Sequence, residues 1–236
     1  MTPGRWITLL FGVPIALALI GWTAFSLVSD IGQASYPVSA TIPLQNGHLV
    51  ASTNGSDITL HQDQARSSTA RLTGTVQYSL VRPKFTVVGT DVSLDCHIPT
   101  GNCGLNATLD VPADTPVDLV TGGGNVNASD LGGIVNFTTA GGDVTVNDLF
   151  SPHVRLETGG GNITLVFTKA PTSLDITSSG GDVNVVLPHG STYRPLTVKT
   201  HGGDYTPSPT VPTSLASPHV ITVDSGGGNV SITEAS

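Results

Sequence analysis

Six polar residues that follow paired glycines are the first candidates for chemistry: Gly124-Asn125, Gly142-Asp143, Gly161-Asn162, Gly181-Asp182, Gly203-Asp204 and Gly228-Asn229. Side-chain oxygens repeated at equivalent corners could form a column of calcium ligands or a hydrogen-bonded ladder. Stacked strand on strand, they would lie about 4.8 Å apart, a spacing at which neighbouring carboxylates repel. In chain order they read Asn, Asp, Asn, Asp, Asp, Asn, so just one Asp follows another. That order suits a ladder and turn formation better than a calcium column. The Gly-Gly-x-Gly-x-Asp phrase of calcium-binding solenoids is also absent. No metal and no cofactor are expected.

The two cysteines, Cys96 and Cys103, bracket a six-residue stretch containing Pro99 and Gly101, which help a short loop turn back. Outside the cytoplasm an even cysteine count at short spacing favours a disulfide. The histidines (His48, His61, His97, His153, His189, His201, His219) show no metal-ligand spacing and read as solvated loop residues. No Gly-x-Ser-x-Gly, Walker loop, Gly-x-Gly-x-x-Gly or His-Glu-x-x-His occurs. Carboxylate-paired hydrolysis of a glycan on a β-helix is the enzymatic rival, and close carboxylates beside exposed aromatics would favour it. Against it, the neighbouring acids already read as turn residues and aromatics make up 5% of the chain.

The elements that must position these residues are written as a repeat. From residue 117 onward one phrase recurs: alternating apolar residues, a polar pair, Gly-Gly, Asn or Asp, then another alternating run. Period-two alternation marks half-buried strands, and the glycine corner accepts positive φ. The apolar residues flanking each corner are Leu119/Val126, Phe137/Val144, Leu156/Ile163, Ile176/Val183, Val198/Tyr205 and Val223/Val230, always seven residues apart. Ala51/Ile58 and Phe85/Val92 keep that interval around degraded corners. Successive Asn or Asp corners, by contrast, are 18, 19, 20, 22 and 25 residues apart.

One fixed and one variable connection describe a two-strand unit with insertions at one edge. Stacked, such units make an all-β fold, a β-solenoid or β-helix-like pile in which each coil buries its apolar face on its neighbours. A meander or sandwich of hairpins would alternate too, but would not require in-register identity across six units. Residues 66–116 are less regular and read as an early coil plus a loop. Residues 206–219, with four prolines, read as a loop inserted at the variable edge.

Residues 6–28 form the only long apolar run, uninterrupted by charge. As a helix it would cover ~34 Å, enough for a ~30 Å hydrocarbon core with some tilt. Arg5 precedes the run and Asp30 follows it, so the positive-inside rule keeps the N-terminus in the cytoplasm and exports the rest. The expected layout is a cytoplasmic tip (1–5), a transmembrane anchor (6–28), a linker (29–45) and an extracytoplasmic β-repeat domain (46–236). A signal peptide cleaved before Ser35 is the alternative; signal h-regions are usually ~7–15 residues, shorter than this run. Both readings export the domain.

The 11% charged residues fall well below the about 25% of ordinary globular domains, and the chain holds 28 glycines. Too few Lys and Glu are present to solvate a helical bundle. A net charge of −8 argues against a phosphate-binding surface, so no nucleic acid partner is expected. Corners such as Gly123-Gly124-Asn125-Val126, Gly141-Gly142-Asp143-Val144 and Gly180-Gly181-Asp182-Val183, on an exported and anchored chain, resemble the bacterial "putative adhesin" family of unknown function. The cysteines followed by Leu109-Asp110-Val111-Pro112 are similar to exported members. The resemblance covers about residues 46–236 and implies a β-solenoid-like, non-enzymatic domain in the bacterial cell envelope. The expected work is binding or scaffolding at the cell membrane, through stacked Thr, Ser and Asn side chains, with an envelope polysaccharide or protein as partner. The rivals are an envelope-stress sensor or regulator and the envelope-glycan enzyme.

Overall fold

A computed structural model describes residues 33–235 apart from 54, 64–66, 80, 90 and 96–102. The expected tip, anchor, Cys96 and the loop after it lie outside the described residues. The described residues are all β, and they hold no helix long and apolar enough to cross a membrane.

Strand β1 (Gln33–Pro43) is followed by β2 (Leu49–Thr53), β3 (Asp57–Asp63), β4 (Thr69–Ser79), β5 (Lys84–Val88), β6 (Asp91–Asp95) and β7 (Cys103–Pro112). Then come the strands of the written repeat, as pairs around the glycine corners. They are β8 (Val117–Thr121) and β9 (Val126–Ser129), β10 (Val135–Thr139) and β11 (Val144–Leu149), β12 (His153–Thr158) and β13 (Ile163–Phe167). The last three pairs are β14 (Ser173–Ser178) and β15 (Val183–Leu187), β16 (Thr197–Thr200) and β17 (Tyr205–Pro207), β18 (Val220–Ser225) and β19 (Val230–Glu234).

The two strands of each pair enter different sheets. One sheet has ten strands in the order β1-β4-β7-β3-β9-β11-β13-β15-β19-β17; the other has nine, β16-β18-β14-β12-β10-β8-β2-β6-β5. Throughout the repeat, neighbouring strands are parallel and in register, apart from a bulge between Val146 and Leu149 on β11. Ile58, Val126, Val144, Ile163, Val183, Val230 and Tyr205 form one inward column of the ten-stranded sheet. Ala51, Leu119, Phe137, Leu156, Ile176, Val223 and Val198 form its counterpart in the other. The inward residues of both sheets belong to one core cluster, in which Ile163 is 1% and Ile176 0% exposed. Parallel strands need a crossover, and here a four-residue glycine corner carries the chain to the opposite sheet rather than a helix.

Four features depart from the sequence reading. Residues 33–43, within the expected linker, form β1, paired with β4 along its whole length. Its alternation of Tyr36, Val38, Ala40 and Ile42 supplies a half-buried face. Phe85 and Val92 do not flank a corner between sheets, because β5 and β6 are an antiparallel hairpin in one sheet. The irregular stretch after residue 66 supplies the long strands β4 and β7, which pair antiparallel and close one end of the ten-stranded sheet.

The fourth departure is the stacking order, which is not the chain order at either end. The pair β18/β19 pairs with β14/β15, and β16/β17 is displaced to the outermost position. At the other end β6/β7 lie outside β2/β3, and the chain passes back over them to β8/β9. The Pro-rich stretch 206–219 is a loop after the first residues of β17. It packs inward through Val211 and Ser217 and forms a bridge from Thr213 to Tyr193.

Candidate functional site

Five of the glycine corners are built the same way. A Thr or Ser at the last inward position of the first strand turns its hydroxyl onto the carbonyl two residues on: Thr121 to Gly123 at 2.6 Å, Thr139 to Gly141, Thr158 to Gly160, Ser178 to Gly180 and Ser225 to Gly227. The buried hydroxyl thereby keeps a hydrogen bond and fixes the start of the turn. The next glycine takes positive φ: 84° at Gly124, 86° at Gly142 and Gly161, 80° at Gly181 and 79° at Gly228. Gly203, in the outermost pair, does not share that conformation. These glycines also stack on the backbone of the adjacent corner; a Cβ on Gly181 would overlap the Gly161 carbonyl, and one on Gly142 the Gly124 carbonyl.

The polar residue that follows is exposed and makes the link between pairs. The amide of Asn125 donates to Asp57 Oδ1 at 2.7 Å, that of Asp143 to Asn125 Oδ1 at 3.0 Å and that of Asn162 to Asp143 Oδ1 at 2.7 Å. The series continues from Asp182 to Asn162 Oδ1 at 2.9 Å, from Asn229 to Asp182 Oδ1 at 2.7 Å and from Asp204 to Asn229 Oδ1 at 3.1 Å. In space the rungs read Asp57, Asn125, Asp143, Asn162, Asp182, Asn229, Asp204. Asn106, the register partner of Asp57 on β7, precedes them. Asp and Asn alternate without exception along the stack. Oδ1 of Asp57, Asp143 and Asp182 each accepts a backbone amide, and among the described residues no group of three or more His, Cys, Asp or Glu could hold a metal ion.

Beside the ladder, the outward face of the ten-stranded sheet carries a second regular row. Ser39, Thr73, Thr108, Thr59, Asn127, Thr145, Thr164, Asn184, Ser231 and Thr206 are consecutive register partners across all ten strands. Every member is a hydroxyl or amide residue, and none is buried. The opposite sheet puts its charges on its outward face. There Arg155 pairs with Glu157 at 2.5 Å and with Asp175 at 4.0 Å, and His201 with Asp224 at 3.3 Å. The hydrogen bond that Arg155 donates to Glu157, and then the Glu157 charge, raise the guanidinium above its ordinary value.

No protein-family model and no curated protein matches the chain. Among solved structures it is similar to a "putative cell adhesion protein" from Clostridium sporogenes, at 14% identity over 85% of this chain and 100% of that chain, with a TM-score of 0.40. It is also similar to a "putative adhesin" from Bacteroides fragilis, at 11% identity over 85% and 97%, with a TM-score of 0.43. A "putative lipid binding protein" from Parabacteroides distasonis matches at 10% identity over 85% and 97%, with a TM-score of 0.28.

Several positions carried a weak signal in the sequence or none. Asp57 begins the ladder although its corner lacks the second glycine. Gln62, buried at an inward position of β3, donates to the Pro112 carbonyl at 3.0 Å and accepts from the Gly132 amide at 2.7 Å, tying together three segments at the variable edge. At the same edge Glu234 accepts from the Gly190 amide at 2.8 Å and lies 3.2 Å from His189. Burial, reinforced by the charge of Glu234, pushes the phenol of the enclosed Tyr193 up to about 12. The described histidines are not simply solvated: His61 bonds to Ser129 at 2.7 Å and His153 to Ser173 at 2.8 Å, both from strands. No described cysteine is a free thiol.

Proposed function

We propose that the chain is a single-pass protein of the bacterial cell membrane whose extracytoplasmic domain is a two-sheet β-solenoid that binds or scaffolds rather than catalyses. The parallel, in-register pairing across the glycine corners supports the solenoid reading. The binding reading is carried by one observation: the unbroken row of hydroxyl and amide side chains across the outward face of the ten-stranded sheet. Such a row offers donors and acceptors at a ~4.8 Å repeat without charge, a contact surface for an envelope polysaccharide or protein. Arg5 and the apolar run 6–28 support the anchor and the exported orientation, and protease added to intact spheroplasts should digest the domain. Export in turn supports a Cys96–Cys103 disulfide, so thiol labelling of the unreduced, unfolded protein should find none.

A pull-down of envelope fractions on residues 33–236, which keep β1, tests the binding reading. Capture should be lost when Thr145 and Thr164 are both replaced by Glu. Equal capture by the variant would move the contact away from this face, and no capture by the native sequence would remove the binding role.

A further inference from the structure

We propose that the alternation of Asp and Asn along the corner ladder selects the stacking order at the C-terminal end of the molecule. Stacked in chain order, β16/β17 would lie directly on β14/β15, and the carboxylates of Asp182 and Asp204 would occupy neighbouring rungs. The observed order places Asn229 between them: its amide donates to Asp182 Oδ1 at 2.7 Å, and its own Oδ1 accepts from the Asp204 amide at 3.1 Å. Either order would supply each corner amide with an acceptor, since Asp and Asn present the same Oδ1. What differs is the charge beside it, which falls on every second rung only in the observed order. Neighbouring rungs about 4.8 Å apart put like charges well inside one Debye length, whereas alternate rungs double the distance.

The other end of the stack alternates as well, with no two carboxylates adjacent in either order. Chain order there would run Asp57, Asn106, Asn125, and the displacement of β7 to the outside of β3 restores strict alternation. Chain order at that end would set two uncharged amides side by side, so charge repulsion selects the order at the C-terminal end alone. The shortness of β16/β17 offers a competing cause for its outer position, and exchanging charges without touching the strands separates the two.

The double variant Asp204→Asn with Asn229→Asp makes chain order the alternating one and the native order the repulsive one. Asp175 faces Thr222 across β14 and β18, and Thr222 faces Thr197 on β16; in chain order Asp175 would face Thr197 instead. Asp175→Cys with Thr222→Cys therefore reports the native order under a short thiol cross-linker, and Asp175→Cys with Thr197→Cys the alternative. With native corners the 175–222 product should dominate. In the charge-exchanged protein the ratio of the two products should fall by about tenfold at low salt and recover at ~1 M salt. A ratio unchanged by the exchange overturns the proposal. Asp143→Asn with Asn162→Asp creates the same adjacent carboxylates, at 162 and 182, where the pairs already follow chain order. This control should unfold at lower urea than the native protein, with the gap closing in salt. Stability equal to native at low salt would overturn the proposal even if the exchanged protein failed to fold.

Discussion

At the scale of single residues, the corners separate two glycines that look alike in the sequence. Gly181 has a φ of +80° and faces the Gly161 carbonyl, whereas Gly180 faces open space and lies outside the left-handed region. Gly181→Ala should cost on the order of 1–2 kcal/mol from the backbone conformation alone, and more from the overlap with Gly161. Gly180→Ala should stay within about 0.5 kcal/mol. Urea unfolding of the two variants decides, and equal costs would show that the corner is not built this way. Tyr193 gives a pH test. Its phenol keeps its proton in the folded protein up to about 12, while the unfolded chain releases it near 10. The unfolded state therefore binds fewer protons between those values, so stability is intact below pH 10 and declines as pH rises through 12. Tyr193→Phe should make that alkaline decline shallower; an identical decline would show that Tyr193 is not the group responsible.

At the scale of the strand, burial follows the alternation: β13 reads buried, intermediate, buried, intermediate, buried from Ile163 to Phe167. Ile163 lies between Val144 and Val183 in the inward column and is 1% exposed. Ile163→Ala should cost roughly 2–5 kcal/mol by opening a cavity. Thr164→Ala, one residue on and facing outward, should remain within about 0.5 kcal/mol. Equal urea midpoints for the pair would reverse the assigned faces. The edge strands follow a different logic. β1 carries Pro37 and Pro43 and β17 ends in Pro207. A proline cannot donate to a further strand, so both ends of the ten-stranded sheet are poorly suited to pairing with another copy.

At the scale of the molecule, position in the chain and position in the stack part company. β18/β19 is last in sequence but internal in space, hydrogen-bonded on both sides, while β16/β17 is bonded on one side only and is largely exposed. Native-state hydrogen exchange should therefore find the amides of β18 and β19 more protected than those of β16 and β17, against the usual fraying of a C-terminus. Greater protection in β16/β17 would contradict the stacking order.

The amino-acid sequence by itself determined which residues face inward, because a period of two leaves a strand only two faces and the solvent chooses between them. It also marked the corners, because only glycine tolerates both the positive φ and the close backbone contact found at Gly142 and Gly181. Phe85 and Val92 show the limit of such local signals: the same seven-residue interval accompanies a hairpin within one sheet when the turn closes antiparallel. The order of the stack was decided only in three dimensions. Connections of variable length let a pair reach either of two neighbouring slots, so nothing local says whether Asp204 or Asn229 follows Asp182. That choice belongs to contacts between residues 22 to 47 positions apart, among them the rungs whose charges meet only once the sheets are assembled.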